Sequence, residues 1–418
     1  MGRLIISGGK PIKGEIEVQG AKNAVLPILA ATILTDEKCV IKNCPCLRDV
    51  DKTILVLRDL GCMVEREGSM VTVDSGGICD CRICENLMRE MRSSIIFLGA
   101  ILTRCKRANV SMPGGCPIGL RPIDLHLKAL RKLGVRISEE HGYINCRADK
   151  MRGADIHLDF PSVGATENIM LSAVCAEGDT IISNAAREPE IADLADLLNA
   201  MGARVSGAGS SVIRISGVEK LHGTEYTVMP DRIVAATYLA AGAVTGGDIT
   251  LAGAEKSHMD AMLNALSEMG AEFEFGEKTI RIKPLDEIKS IHILRTMPYP
   301  GFPTDIQSPF MTVAALGRGT SVFVENIFEN RFRHVDELVR MGADIRVSGR
   351  CAVIRGVKKL YGAKVCAREL RGGAALVLAG LAAEGTTIVE NTEYIDRGYE
   401  SIEKCLSACG ADIRRIDE

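Results

Sequence analysis

The sequence predicts an α/β protein of two pseudo-symmetric domains, each built from three β-α-β-α-β-β units. Three observations predict it. A leucine-rich amphipathic run that ends in glycine and leads into a strand recurs six times, as LRDLGCMVE, LRKLGVRIS, LNAMGARVS, LSEMGAEFE, LVRMGADIR and LSACGADIR. The six glycines, Gly61, Gly134, Gly202, Gly270, Gly342 and Gly410, stand 68 to 73 residues apart. A second helix, rich in Ala, Gly, Leu and Ile, precedes each capped one. Glycine after an amphipathic run ends a helix in the left-handed region, and six such caps at one period mark an internal repeat.

Each unit holds the same parts in order. The apolar helices begin at Asn23, Ser93, Glu167, Ile233, Ile306 and Gly372. AVLPILAATIL and AALVLAGLAA are apolar on nearly every face, which predicts helices buried all round. A short apolar strand follows, as in CVIKN, TIISN, DITLAG, SVFVEN and TTIVEN. The Gly-capped helix comes next, then two more strands, such as CMVERE with MVTVDS. One such unit is too small to bury its own faces, and three together make a domain of about 200 residues. GRLIISGG reads as a strand that joins the last units, and ADIRRI as the final strand. The chain is then expected to cross between domains near Ala21 and near Met229-Pro230. The expected domains are 22–229, which carries a cysteine loop, and 1–21 plus 230–418, with the active site in the cleft between them.

Length and composition agree with this. The chain has 418 residues, 46% hydrophobic and 25% charged, as in a soluble globular protein of two or three domains. A net charge of −3 supplies no drive toward nucleic acid or an anionic membrane. Trp is absent and aromatics are scarce, which disfavours base-stacking platforms. The start, MGRLIISGGKPIKG, has no apolar core of a signal peptide, and Ile6 does not fit a myristoylation pattern. No apolar run reaches the roughly 18 residues of a membrane span. A cytoplasmic location is expected, where the fifteen cysteines stay reduced. Cys44, Cys46, Cys79, Cys81 and Cys84 are close in sequence, but ICDCRI reads as a strand with alternating faces, and no zinc spacing is completed. No metal and no cofactor are expected.

The cysteine loop runs from Met112 to Leu125, MPGGCPIGLRPIDL, with three glycines and three prolines. Proline fixes φ and glycine permits positive φ, so regular structure is excluded there. A thiol at Cys116 near Arg121 has the setting of a lowered pKa, which suits a nucleophile or a proton donor. Taken alone, one cysteine of fifteen in a loop is more simply a surface thiol. The repeat changes that reading through its cations. Lys22, Arg92, Arg232 and Arg371 stand at starts of apolar helices, and Arg48, Arg121, Arg331 and Arg397 just before amphipathic ones. Helix N-termini are positive ends that favour acids, so cations repeated there are costly unless an anion fills the site. At the fifth apolar helix the cation gives way to Thr304-Asp305. Thr-Asp at a helix start is ordinary capping, or a carboxylate placed as general base.

GAKNA at Gly20, GGCPIGLRPIDLH around Cys116, PSVGATEN at Pro161, YPGFPTDIQ around Asp305, ENRFRHVDEL around Arg331, ELRGGAALVLAGL around Arg371 and DRGYE around Arg397 together resemble the UDP-N-acetylglucosamine enolpyruvyl transferases, 1-carboxyvinyltransferases of the EPSP synthase superfamily. The resemblance runs the whole length. It implies the inside-out α/β barrel fold and transfer of enolpyruvyl from phosphoenolpyruvate to the 3-hydroxyl of UDP-N-acetylglucosamine, the first committed step of peptidoglycan synthesis. By the family pattern Cys116 protonates C3 and can be trapped by a phosphonate epoxide, and Asp305 is base for the sugar hydroxyl. Lys22, Asn23, Arg121 and Arg397 would hold the phosphate, and Arg331 and Arg371 the carboxylate. Arg92, Arg121, Pro122, Ile123, Asp124, Leu125, Ser162, Val163, Gly164 and Ile327 would line the sugar-nucleotide site.

Three positions depart from the pattern: Glu369 where Asp is expected, Phe160 where some relatives have Lys, and Pro309, expected to kink the fifth apolar helix. The nearest rival is a shikimate-phosphate enolpyruvyl transferase, a family that lacks the Gly-Gly-Cys loop. A nucleic-acid clamp of repeated units would need basic inward helices, whereas these are Ala- and Leu-rich.

Overall fold

The computed structural model describes residues 2–78, 81–90, 92–112, 118–119 and 122–416, without the side chains of 89, 90, 92 and 93. The chain forms two compact units. One comprises Met1–Gln19, Pro117–Leu120 and Pro230–Glu418; the other comprises Gly20–Cys116 and Arg121–Met229.

Five sheets of four strands and one of three are present among the described residues. One pattern of pairing recurs in them. In one sheet, Ile293–Arg295 pairs parallel with Thr320–Val324, which pairs antiparallel with Cys351–Arg355, and that strand with Asp344–Ser348. The sheet of Asp155–His157, Asp179–Ser183, Val212–Ser216 and Arg204–Ser206 repeats the pattern. A parallel pair needs a crossover, and the apolar helix supplies it. The antiparallel strands follow the capped helix and fold back as a hairpin.

The first strand, Arg3–Ser7, lies between Thr386–Glu390 and Asp412–Ile416, antiparallel to both. The N-terminus thus completes the sixth sheet, as expected. Lys13–Glu17 pairs parallel with Asp248–Ala252. In the other unit Glu225–Thr227 returns to pair parallel with Lys38–Lys42. One expectation fails here. Over its described part ICDCRI forms no strand: Arg82 makes a single parallel bridge to Asn109 beside the three-stranded sheet, and Cys79 and Asp80 lie outside the described residues. Cys81 and Ile83 are nevertheless buried and Arg82 between them is exposed, so the expected alternation of faces holds there.

The apolar helices are Lys22–Ala31, Phe97–Cys105 (entered through a 3₁₀ turn, Arg92–Ile96), Val163–Ala173, Arg232–Thr245, Gln307–Ala315 and Leu370–Ala382. Residues 24–31 are all buried, whereas Asp51, Leu55, Arg58 and Asp59 of the amphipathic helix Arg48–Asp59 are exposed. That is the contrast the apolar pattern predicts. The six capping glycines have φ between 86° and 101°.

Several helices start elsewhere than expected, because side chains set the start. Ser162 Oγ accepts from Ala165 N at 3.3 Å, so the third apolar helix begins at Val163 and not at the expected Glu167. Asp231 Oδ1 accepts from Ile233 N and Val234 N at 2.9 and 3.0 Å. Glu369 accepts from the Arg371 and Gly372 amides. Pro309 stands in the first turn of its helix. It is the third residue of Gln307–Ala315, where the backbone N–H has no helical partner to lose.

Each unit has its own core. In one, a Cβ at Gly99 would lie 2.5 Å from Asn168 O, so only glycine lets Phe97–Cys105 and Val163–Ala173 pack this closely. Among the described residues no helix is long and apolar enough to cross a membrane.

Candidate active site

The unit that holds the N-terminal strand gathers its charged groups at helix starts. Asp305 sits in the 3₁₀ turn Thr304–Ile306 that leads into Gln307–Ala315. Its Oδ1 accepts from Arg331 Nη2 at 2.9 Å, and Arg331 Nε donates to Thr304 O at 3.3 Å. The Arg331 side chain is only 2% exposed, that of Asp305 32%. Arg331 Nη1 also stands 3.9 Å from Glu369 Oε2. Glu369 thus balances one guanidinium while capping the helix that carries the next, Arg371.

Arg371 is buried, with its guanidinium 5.3 Å from the centre of the Tyr399 ring. Tyr399 in turn shares a hydrogen bond of 2.9 Å with Thr237 Oγ1. Burial opposes the Arg371 charge, but Tyr399, Asp305 and Asp231 outweigh it and hold its pKa above the usual arginine value. Arg371 Nη1 has no hydrogen-bond partner. A buried charged N–H without an acceptor is costly, and it suits a site that an anionic ligand completes. Beside this group His334 is buried and pushed down to about 4, by burial first, against the pull of Glu369. It is therefore neutral at pH 7. Ile327 is half-buried in the loop after Thr320–Val324, and Arg397 half-buried at the end of the 3₁₀ turn Thr392–Arg397.

In the other unit Lys22 is the first residue of its helix, with Asn23 next. Lys22 Nζ lies 2.8 Å from Asp49 Oδ2, and Asp49 is buried in the first turn of Arg48–Asp59. Here, as at Arg331, a protein carboxylate offsets a cation at a helix start. Acids one helix away thus share the task of offsetting these cations.

Pro122, Ile123, Asp124 and Leu125 lead into the helix Asp124–Lys132; Pro122 and Asp124 are exposed, Ile123 and Leu125 half-buried. Ser162, Val163 and Gly164 form the capped start of Val163–Ala173. Asn168 ties these segments together. Its Oδ1 accepts from Gly99 N at 2.7 Å, and its Nδ2 donates to Ile95 O at 3.0 Å and lies 2.8 Å from His126 Nδ1. With Nδ2 already a donor, Nδ1 is the acceptor and the ring proton sits on Nε2. A Cβ at Gly164 would stand 3.1 Å from His126 Cε1. The 3₁₀ turn Arg92–Ile96, the helix after the cysteine loop and the helix capped by Ser162 thus meet at one amide. The Arg92 side chain, Cys116 and Arg121 lie outside the described residues.

His126, Asn168 and Glu369 stand inside the motif strings, yet nothing in their spacing marks them. Tyr399 and Asp49 escape a reading of the sequence because their partners are distant along the chain.

Glu167 follows on the same helix, 2% exposed. Burial, then Glu190 and Glu188, push its carboxyl up to about 8. The folded state keeps a proton that the unfolded chain releases above its ordinary pKa of 4.5, so stability falls as pH rises from about 4.5 to about 8. A tenfold difference in proton affinity between the folded and unfolded chains is worth about 1.4 kcal/mol. Glu167→Gln removes this titration, and the variant should lose several degrees less Tm than the parent between pH 5 and pH 8, read by calorimetry. An equal loss in both proteins would mean that Glu167 ionises freely.

Among the described residues no group of three His, Cys, Asp or Glu could hold a metal ion. The profile of the family described as EPSP synthase (3-phosphoshikimate 1-carboxyvinyltransferase) matches residues 6–406. A protein of Caldanaerobacter subterraneus subsp. tengcongensis named UDP-N-acetylglucosamine 1-carboxyvinyltransferase 2 is 57% identical over 416 residues, covering 100% of both chains. One of Geobacter metallireducens, named UDP-N-acetylglucosamine 1-carboxyvinyltransferase, is 50% identical over 418 residues, again covering 100% of both. Among solved structures, the enolpyruvyl transferase NikO from Streptomyces tendae matches with TM-score 0.90 at 23% identity, over 99% of this chain and 98% of that one. An EPSP synthase from Acinetobacter baumannii matches with TM-score 0.76 at 20% identity, over 100% of both chains. These two likenesses show the fold.

Proposed function

The chain belongs to the EPSP synthase family, and we propose that within it the protein acts as a UDP-N-acetylglucosamine 1-carboxyvinyltransferase. It transfers the enolpyruvyl group of phosphoenolpyruvate to the 3-hydroxyl of UDP-N-acetylglucosamine and releases phosphate, in peptidoglycan synthesis. The observation that carries this is 57% identity over full length to a relative of that name.

The chemistry is addition then elimination. C3 of the enol gains a proton from Cys116, the sugar oxygen bonds to C2 while Asp305 takes its proton, and the tetrahedral intermediate then loses a C3 proton and phosphate. Phosphoenolpyruvate has two anionic ends, and preorganised cations stabilise both without a metal. Lys22, Asn23, Arg121 and Arg397 hold the phosphate; Arg331 and the unsatisfied N–H of Arg371 face the carboxylate. Arg92, the segment Arg121 to Leu125, Ser162 to Gly164 and Ile327 bind the sugar nucleotide. We read 22–229 and 1–21 plus 230–418 as two domains, each an inside-out α/β barrel, both contributing groups to the reaction; the strand order repeated among the sheets supports this. The same reading makes the enzyme cytoplasmic, with no nucleic acid or membrane partner, and open to covalent capture by a phosphonate epoxide at Cys116.

The test is phosphate release from phosphoenolpyruvate with each acceptor. Release is expected only with UDP-N-acetylglucosamine. Release with shikimate 3-phosphate instead would transfer the chain to the other activity of its family.

A further inference from the structure

We propose that Glu325 is a positioning residue of this active site, one that fixes the Asp305 turn and the Ile327 loop relative to each other. The inference rests on Asp305 being the base and Ile327 a sugar-nucleotide contact.

Glu325 follows the strand Thr320–Val324 and is 1% exposed. A carboxylate so buried is costly unless its charge is met. No Lys or Arg among the described residues forms an ion pair with it. Four donors meet it instead. Oε1 accepts from Thr296 Oγ1 at 2.9 Å, from Ile327 N at 2.8 Å and from Phe328 N at 3.0 Å. Oε2 accepts from Thr304 Oγ1 at 2.9 Å. The Thr296 hydroxyl also accepts from Asn326 N at 2.9 Å, which closes the group on itself.

The two oxygens divide the work. Oε1 shapes the loop that presents Ile327; Oε2 holds the residue before Asp305. Arg331 grips the same turn from its other side, through Thr304 O at 3.3 Å and Asp305 Oδ1 at 2.9 Å. Asp305 is therefore held by its neighbour's hydroxyl and by its own carboxylate. Bonds to a charged acceptor are about twice as strong as neutral ones, so the turn is stiff where a base has to be stiff.

The experiment separates kcat from binding. Thr304→Val cuts only the Oε2 bond, Thr304→Ser keeps the hydroxyl, and Glu325→Gln keeps the shape while losing one acceptor. Each is measured for kcat, for KM of phosphoenolpyruvate, and for Kd of UDP-N-acetylglucosamine by calorimetry, beside Asp305→Asn. Small misplacement of a reacting group costs up to about 10²-fold. Thr304→Val should lose about 10-fold or more in kcat with Kd and KM within about twofold, and Thr304→Ser should regain most of it. Glu325→Gln should also lower kcat, and it carries the test should Thr304→Val fail to fold. Parent-like kcat in Thr304→Val, or equal loss in Thr304→Ser, overturns the proposal. Full turnover in Asp305→Asn would overturn the base assignment itself, and the positioning role with it.

Discussion

Asp305→Asn is expected to lose turnover by about 10²- to 10⁴-fold, the worth of a general base, while UDP-N-acetylglucosamine still binds. Asn has the size of Asp, and its Oδ1 can still accept from Arg331 Nη2, which lies 2.9 Å from the carboxylate now. The shape of the cluster should therefore survive. Two things are lost. One is the proton acceptor: the parent carboxylate is 32% exposed and so within reach of a substrate hydroxyl, whereas an amide cannot take its proton. The other is a negative charge beside Arg331 and Arg371. Glu369 at 3.9 Å from Arg331 remains to balance part of that. Any change in phosphoenolpyruvate binding is secondary to the loss in kcat. Single-turnover kinetics with calorimetric Kd values check it. Near-parent turnover would show that another group takes the proton.

The repeat was legible because both of its signals are local. A glycine forced to positive φ and a helix without a polar face need no tertiary information to be read. The place of Arg3–Ser7 in the last sheet was legible for a related reason: six units in one chain leave a strand missing at one end and a spare at the other. Helix starts were less legible. An apolar count places a helix where apolarity begins, but Ser162, Asp231 and Glu369 begin helices earlier through hydrogen bonds to backbone amides.

The site was legible as residue types and not as pairings. Cations at helix starts could be counted, and they pointed to an anionic ligand. That Asp49 meets Lys22, or that Glu369 meets Arg331, depends on helices brought together by the fold. Glu325 was hardest. It follows a strand in the string VEN, which recurs at Glu390 in the sixth copy, where the residue pairs with Arg3 and Lys364 instead. The same letters do different work in the two copies, so no pattern could have told them apart.

Cys116 carries the other large prediction, and its basis is the chemistry of the side chain. Its role has two separable parts: an acid that protonates a carbon, and a soft nucleophile that can trap an electrophile. Ala gives up both, and Cys116→Ala should lose about 10²- to 10⁴-fold in kcat. Asp keeps an ionisable proton of similar reach but has no thiolate. Cys116→Asp should therefore retain turnover. The acting form is the protonated one, and a carboxyl gives up its proton at lower pH than a thiol, near 4 against about 8.5 for the free groups, so its activity should hold only toward lower pH. The optimum moves down, and the alkaline limb of the profile moves with it. Both variants should resist a phosphonate epoxide, because only the thiolate attacks it readily. Turnover against pH and irreversible inactivation, measured in the three proteins together, read the two parts apart. An Ala variant with parent turnover would reduce Cys116 to a loop residue, while an Asp variant that is inactivated at the parent rate would place the reactive thiol at another of the fifteen cysteines.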